Sequence, residues 1–323
     1  MDPLQRHWAV AGWTVLAAIV AACVLSMPWS FGRVRVGEVD VPRYAASNLQ
    51  LNLQPPAWMR LDDDQRARRD AAEAAGEYVP GRFLGTDALG RDALARLLAG
   101  GIFSIAVGLA AASIAVTIGT LWGALAGYAG GRTDALMMRT VDVRYGLPSI
   151  LLVVLLSVAA EGIAARLGGG SLPQGAGILV LFVAIGGTSW LTMSRVIRGQ
   201  VLSLRAQPFM EACRATGVPA HRQFMRHLLP NLVGPMVVYA TLAVPAAILS
   251  ESFLSFLGIG VREPVPSWGS LASAGLSEVN LVVSRWWLLA APCAMIAATL
   301  VSLNFIGDSL RARYDPTASR ARW

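Results

Sequence analysis

The sequence predicts an all-α membrane protein with six transmembrane helices and a long extracytoplasmic segment between the first and the second. Of its 323 residues, 55% are hydrophobic and only 15% are charged, and the apolar residues gather in long runs. A soluble domain usually carries about a quarter charged residues, and a bilayer core of about 30 Å requires roughly 20 apolar residues of helix. The net charge of +7 is explained by arginines flanking these runs rather than by a nucleic-acid-binding cluster of basic and aromatic residues.

Six runs are long enough to cross a bilayer. In chain order they are residues 8–27, 97–131, 135–160, 174–194, 231–257 and 286–307. The second run exceeds one straight crossing, but a hairpin inside it would leave each half too short, so it predicts a single long helix. Glycines at 119, 123 and 127 recur at helical spacing in this run and predict close helix packing.

The third run carries charged residues near its start. Arg139, Asp142 and Arg144 fall in its first turns, and Pro148 is predicted to kink the helix. Because Arg139 and Asp142 are three residues apart on a helix, they are expected to form a structural ion pair rather than a substrate contact.

The first run has two interpretations. Arg6 and His7 followed by apolar residues resemble a secretory signal peptide, and the residues before Cys23 weakly resemble a lipoprotein cleavage box. The run nevertheless continues past Cys23 and can cross the bilayer, whereas the apolar part of a signal peptide is shorter. We therefore expect an uncleaved anchor helix within residues 1–27.

The arginine distribution predicts that both termini are cytoplasmic. An even number of crossings places the termini on one side, and arginines are frequent at 195–230 and in the tail. Residues 28–97 then lie outside despite their ten arginines, because long loops translocate largely regardless of charge. Within this segment, residues 61–78 predict a helix ending near Gly76, and a solvated connector is the alternative.

The residue inventory excludes several chemistries. All 27 basic residues are arginine, so the chain lacks the lysine that a Walker A loop or a Schiff base requires. Cys23, Cys213 and Cys293 show no disulfide or metal-site spacing. His221 and His227 fall on different faces of a helix, with no third ligand nearby. The sequence therefore predicts no catalytic residue, metal or cofactor.

A basic segment at about 205–230 interrupts the apolar sequence. It predicts a short helix ended by a left-handed turn at Gly217, then a second helix with Pro219 in its first turn and Pro230 as its end. A rigid helix pair of this kind is suited to bind a partner protein. The alternative is a loop that lies on anionic lipid headgroups.

This segment resembles the EAA loop of binding-protein-dependent ABC importer permeases. Glu211-Ala212, Gly217 six residues after the glutamate, and Leu229-Pro230 match that loop, whereas Cys213 stands where the family usually has a second alanine. Five other stretches resemble the C-type subunit of the dipeptide/oligopeptide permease branch: LGTDALGRD (84–92), GYAGGRTDALMMRTVD (127–142), VIRGQVLSLR (196–205), ESFLSFLGIGVREPVPSWG (251–269) and NFIGDSLRARYDP (304–316). Residues 28–81 are not part of this common pattern.

The resemblance implies the type I permease fold of ABC importers in a bacterial cytoplasmic membrane. It divides the chain into an anchor helix (1–27), an extracytoplasmic segment (28–97), a permease core (98–310) with its coupling loop at about 205–230, and a cytoplasmic tail (311–323). The implied partners are a second permease subunit, two ATP-binding subunits and an extracytoplasmic solute-binding protein. The residues implied to contact the ATPase are Glu211, Ala212, Arg214, Gly217, Pro219, Leu229 and Pro230.

The implied function is ATP-driven import, of di- or oligopeptides, nickel chelates or another small solute. An independent secondary transporter would predict internal repeats with broken helices, and an intramembrane enzyme would need a nucleophile–base pair or paired aspartates within its spans. Neither pattern is evident in this sequence.

Glu251 is a further candidate, because charges inside spans are often functional. It lies some 20 residues into the fifth run, near its outer end. Together with Ser252 and Ser255 it forms a possible pathway or gate site. The simpler alternative places its carboxylate in water at the membrane surface.

Overall fold

The computed structural model describes residues 3–168, 174–261, 263–279 and 284–314, and most of them are helical. The helices are α1 (Pro3–Leu25), α2 (Met27–Ser30), α3 (Asp63–Ala74), α4 (Ala93–Ala129), α5 (Gly131–Tyr145), α6 (Ser149–Gly168), α7 (Gln174–Arg205), α8 (Pro208–Ala215), α9 (Ala220–Arg222), α10 (Leu229–Asn231), α11 (Val233–Phe256), α12 (Trp268–Ser277) and α13 (Trp286–Tyr314). A π-helical turn, Gln223–Leu228, joins α9 to α10. Strands β1 (Arg33–Val36) and β2 (Val39–Pro42) form an antiparallel hairpin.

Six helical stretches of the described residues are long and apolar enough to cross a membrane, which confirms the predicted number of crossings. They are His7–Ser30, Ala93–Ala129, Ser149–Arg166, Ala176–Arg205, Val233–Phe256 and Trp286–Ala312. The second is one uninterrupted helix of 37 residues, as predicted. Most of the predicted tail, from residue 315 onward, lies outside the described residues.

The prediction for the third crossing was wrong. Helix α5 ends at Tyr145 and α6 begins at Ser149, so Pro148 separates two helices instead of kinking one. Proline disfavours helical backbone at the preceding residue, which explains a boundary here. The candidate span starts only after this break, and the predicted pair of Arg139 with Asp142 is replaced by an Asp142–Arg195 ion pair of 2.7 Å.

The fourth crossing also extends further than predicted. Helix α7 continues to Arg205, so the arginines at 195, 198 and 205 lie on its last turns and not in a connecting loop. Helix-favouring residues continue past position 194, and the charges have partners on neighbouring elements (described below).

The described chain divides into two compact units. The first comprises residues up to 13, 108–247 and those from 301 onward, and the second comprises 14–107 and 248–300. In the first unit the glycines at 119, 123 and 127 pack against α7. A Cβ on Gly127 would come within 2.9 Å of the Val201 side chain, which confirms the predicted close packing.

In the second unit, the segment after α1 is packed rather than a solvated connector. Leu51 and Thr86 are fully buried, and the Thr86 hydroxyl donates to the Leu51 carbonyl at 2.7 Å and accepts from the Gln54 N–H at 2.8 Å. The predicted helix is present as α3, with a capping box at its start and a left-handed Gly76 after its end.

Candidate functional site

The segment between α7 and α11 contains the predicted helix pair. Helix α8 ends before Gly217, whose φ of +72° is the left-handed conformation that favours glycine. The Val218 N–H donates to the Cys213 carbonyl at 3.0 Å across this turn. The predicted end of the first helix at Gly217 is therefore confirmed. Glycine is favoured here by its backbone conformation and not by lack of space, because a Cβ on Gly217 would meet no atom within 4 Å.

Two details of the second helix differ from the predictions. Pro219 has an extended ψ of 145° and caps α9 from outside, instead of occupying its first turn. Pro230 does not end the helix, which runs on through Asn231 before a turn at Leu232 leads into α11. A proline ring clashes with the carbonyl four residues earlier in a regular α-helix, and the π-helical turn immediately before it is a common accommodation of such a disruption.

One face of the helix pair is buried against α7. Met210 from α8 and Phe224 and Leu228 from the π-helical turn join a cluster with Ile197 and Val201 of α7. Met210 and Leu228 are fully buried. Apolar burial of this extent fixes the segment on the end of α7, so the segment is a packed part of the first unit.

Polar contacts attach the segment and the end of α7 to the end of α4. The Tyr128 hydroxyl donates to the Ala220 carbonyl at 2.9 Å, and Arg205 donates to the Gly127 carbonyl at 2.8 Å. In both contacts the acceptor is a backbone carbonyl. Every residue has such a group, so the sequence pattern did not predict these contacts.

A bidentate ion pair joins α5 to α7 beside these contacts. Arg198 donates to both carboxylate oxygens of Asp134, at 2.5 and 2.6 Å. These hydrogen bonds lower the pKa of Asp134, with burial acting in the opposite direction. The sequence analysis did not predict this pair. Asp134 and Arg198 belong to two of the stretches that carry the family resemblance, but they are 64 residues apart in the sequence.

The opposite face of the helix pair is exposed and carries most of the predicted ATPase-contacting residues. Leu229 is half-buried, whereas the other six are exposed: Glu211, Ala212, Arg214, Gly217, Pro219 and Pro230. Arg214 donates to the Arg205 carbonyl at 3.2 Å, and among the described residues the Glu211 carboxylate has no hydrogen-bond or ion-pair partner. Phe209 and Met225 are also exposed, at 38% and 59%. The exposed surface of the helix pair thus carries both an unpaired carboxylate and apolar side chains.

Glu251 belongs to the second unit and is buried. Its exposure is 0%, so the alternative that placed the carboxylate in water at the membrane surface was wrong. It accepts hydrogen bonds from the Ser255 hydroxyl on α11 at 2.7 Å and from the Ser104 hydroxyl on α4 at 3.0 Å, and these donors make burial possible. Ser252 and Ser255 are buried with it, at 5% and 3% exposure.

The Glu251 cluster extends to the start of α12. The Trp268 backbone N–H donates to the Ser104 hydroxyl at 3.1 Å, and its indole N–H donates to the Leu97 carbonyl at 3.0 Å. The Val261 N–H donates to the Ser255 hydroxyl at 3.1 Å. A single carboxylate therefore connects α4, α11 and the start of α12 within the second unit.

A second polar cluster lies where the segment between α1 and α4 enters α4. Arg96, with 1% exposure, donates to the Glu263 carboxylate at 2.7 Å and to the Tyr44 carbonyl at 3.3 Å, and Arg91 pairs with both Asp87 and Glu263. Burial raises the pKa of Glu263, but the two guanidinium groups outweigh it and lower the pKa below its usual value. Sequence reasoning missed this cluster; buried charges at the start of an apolar run require partners, but Glu263 is far away in sequence.

Comparison with known proteins identifies the family. The family described as binding-protein-dependent transport system inner membrane component matches residues 119–320, more than half of the chain. This chain belongs to that family. The matched region includes the α8–α11 segment and Glu251 with its neighbours Ser252 and Ser255, but not Ser104 or residues 28–81. Residues 28–81 are also outside the pattern that carries the resemblance.

Individual permeases of the family are similar over most of their length. The oligopeptide transport system permease protein OppC of Haemophilus influenzae is 44% identical over 72% of this chain and 70% of its own. The protein of the same name from Escherichia coli K12 is 44% identical over 75% of each chain. The dipeptide transport system permease protein DppC of Bacillus subtilis is 40% identical over 74% of this chain and 69% of its own. The chain is therefore a multi-pass inner-membrane permease subunit of an ABC importer, similar to the OppC and DppC proteins.

Proposed function

We propose that this permease imports oligopeptides or dipeptides. The observation that carries the proposal is the 40–44% identity, over about 70% or more of both chains, to permeases named for oligopeptide and dipeptide transport. No residue pattern in the chain favours nickel chelates or another small solute over peptides.

We further propose that the permease works with a second permease subunit, two ATP-binding subunits and an extracytoplasmic solute-binding protein, with both of its termini in the cytoplasm. The lack of lysine in the chain supports an external source of ATP hydrolysis, because a Walker A loop needs that residue. The arginines near residues 195–226 support a cytoplasmic location for the α8–α11 segment, and residues 28–97 are then extracytoplasmic. In this proposal the permease contributes no catalytic residue.

The ATPase contact is proposed to involve the exposed face of the helix pair, with Glu211 and Gly217 as its principal residues. Its support is that Glu211 is exposed and has no partner among the described residues, while the opposite face is buried against α7. A coupling surface requires a face that is firmly packed against the permease and an opposite face whose side chains are free to bind a partner. We also propose a gate site formed by Glu251, Ser252 and Ser255. These buried residues would act by holding helices together and not by contacting the solute.

Co-purification and reconstitution test this proposal. The tagged permease, expressed with its neighbouring genes, is expected to purify with an ATP-binding subunit, and liposomes containing the complex should take up a labelled tripeptide only with ATP and the binding protein. Uptake by the permease alone would instead identify a secondary transporter. ATP-dependent uptake of a nickel chelate without peptide uptake would refute the peptide assignment.

The coupling role is tested with Gly217→Arg. This variant is expected to assemble and insert but to lose most peptide uptake while retaining ATP hydrolysis. Gly199→Arg is the matched control, because Gly199 is exposed on α7, has ordinary helical backbone and has room for a side chain. Unchanged uptake in Gly217→Arg, or equal loss in both variants, would contradict the proposed contact.

A further inference from the structure

Helix α5, in the first unit, has a buried face and an exposed face. Asp134 and Val141 are buried, at 8% and 0% exposure. On the opposite side of the helix Leu136 and Val143 are each 70% exposed, and Arg139 between them is exposed as well. Spacings of three and four residues place Leu136, Arg139 and Val143 on one side of the helix. We call these three side chains the α5 stripe.

The contacts of the buried face place α5 alongside the spans. The Trp122 indole N–H donates to the Met137 carbonyl at 3.1 Å, and Val141 joins a buried cluster with Ala115 of α4 and Trp190 of α7. Ala115 lies 14 residues before the end of α4, a distance of about 21 Å. Helix α4 is about 55 Å long and a membrane with its headgroups is about 40–45 Å thick, so α4 extends at most about 15 Å beyond the membrane. Val141 and its neighbour Val143 are therefore at membrane depth.

The composition of the α5 stripe fits neither lipid nor water. Arg139 has no hydrogen-bond or ion-pair partner among the described residues, and its predicted partner Asp142 pairs with Arg195 instead. An unpaired guanidinium in contact with acyl chains is costly. Leu136 and Val143 are in turn two of the most exposed large apolar side chains of the described residues, which is unfavourable in water. Apolar side chains combined with arginine are typical of protein–protein interfaces.

We propose that the α5 stripe binds the second permease subunit. The inference rests on the proposed subunit composition of the transporter. In that composition the ATP-binding subunits and the solute-binding protein lie outside the membrane, so the second permease is the partner that reaches Val143. The chemistry of the stripe requires a membrane-embedded partner surface with apolar side chains opposite Leu136 and Val143 and an oxygen acceptor opposite Arg139.

Photo-crosslinking in the assembled transporter tests this contact. The photoreactive residue p-benzoylphenylalanine replaces Leu136 or Val143, one at a time, in the chain expressed with its neighbouring genes. Both side chains are exposed, so the larger probe should not disturb folding. After irradiation, peptide mass spectrometry of the cross-linked band should identify the second permease subunit from both positions. Val10 is the matched control, because it is 55% exposed on α1, a span with most of its residues exposed, and it should form no link to another subunit.

Arg139→Gln is an independent variant that removes the charged donor. Hydrogen bonds of charged groups contribute more than neutral ones, so the amount of second permease retained per tagged chain after a detergent wash should fall about tenfold. Arg66→Gln is the matched control, because Arg66 is exposed on α3 and has no side-chain partner among the described residues. Its retention should not change. The amount of each variant in the membrane is measured in parallel, so that a failure to insert is recognised.

The outcomes separate this inference from the proposed composition. If the second permease co-purifies but neither probe links to it, or both probes link only to lipid, the stripe does not bind that subunit and the proposed composition stands. Links to an ATP-binding subunit, or between two copies of this chain, would likewise overturn the inference. If no second permease co-purifies at all, both proposals fail.

Discussion

Replacing Glu251 with alanine is expected to destabilise the permease by about 2–6 kcal/mol. The carboxylate is fully buried and accepts hydrogen bonds from Ser255 at 2.7 Å and Ser104 at 3.0 Å. The truncation leaves two buried hydroxyl donors without an acceptor, and each such group costs about 1–3 kcal/mol. Because Ser104 also accepts from the Trp268 N–H, the loss should loosen the start of α12 as well as α11.

The free energy of unfolding can be measured by titrating the purified permease in mixed micelles with sodium dodecyl sulfate. Glu251→Gln retains one acceptor oxygen, so it should lose roughly half as much stability as the alanine variant. Glu211→Ala is the matched control, because the same substitution at an exposed, unpartnered position should change stability by less than about 0.5 kcal/mol.

Two results would refute this reasoning. If the free energy of unfolding of Glu251→Ala differed by less than about 0.5 kcal/mol from that of the parent chain, the buried hydroxyls of Ser104 and Ser255 would not depend on this carboxylate as their acceptor. If glutamine were more damaging than alanine, the site would need a charge rather than an acceptor.

Three further predictions concern the first unit. Asp134 has a lowered pKa, so its pair with Arg198 stabilises the fold at pH values above the unfolded pKa of about 3.9. This contribution is lost as the pH falls through the lower pKa of the folded state. The unfolding midpoints at pH 7 and pH 3 should therefore differ less in Asp134→Asn than in the parent. Tyr128→Phe removes one hydrogen bond to a carbonyl and should lower the unfolding free energy by about 0.5–1.5 kcal/mol, whereas no measurable change would contradict the contact. Gly123→Leu would place a side chain against the Ser194 carbonyl of α7 and should cost about 1–3 kcal/mol, which a wild-type unfolding curve would disprove.

The number of spans could be predicted from the sequence because each span depends on a local property. A run of roughly 20 apolar residues is costly anywhere but in a bilayer or a large core, and no distant residue changes that. The turn at Gly217 and the end of α3 near Gly76 were predictable for the same reason, since a left-handed glycine turn is decided by residues within one turn of the chain.

The helix boundaries were less predictable where two local signals compete. Pro148 could kink a continuous helix or separate two helices, and the apolar residues on both sides are compatible with either outcome. Pro230 presented the same choice, and there the π-helical turn carries the helix past the proline. Phe224 and Leu228 of that turn pack against α7, and such packing has no signature near the proline itself.

The surroundings of Glu251 could not be predicted, because they depend on contacts distant in sequence. A glutamate near the end of an apolar run is compatible with water or with burial, and the difference is set by Ser104, which is 147 residues away. The Glu263 partner of Arg96 is similarly 167 residues away. Polar clusters of this kind require the fold to be known before their members can be recognised.

The buried and exposed faces of the α8–α11 segment suggest how the proposed coupling could work within the first unit. A force on the exposed face of α8 passes to α7 through Met210, which is fully buried in the shared cluster. The hydrogen bond of Tyr128 to α9 resists sliding between the segment and α4, and that of Arg205 to Gly127 resists sliding between α7 and α4. A segment fixed by apolar packing alone could rotate under load, whereas these directional contacts require α4 and α7 to follow it.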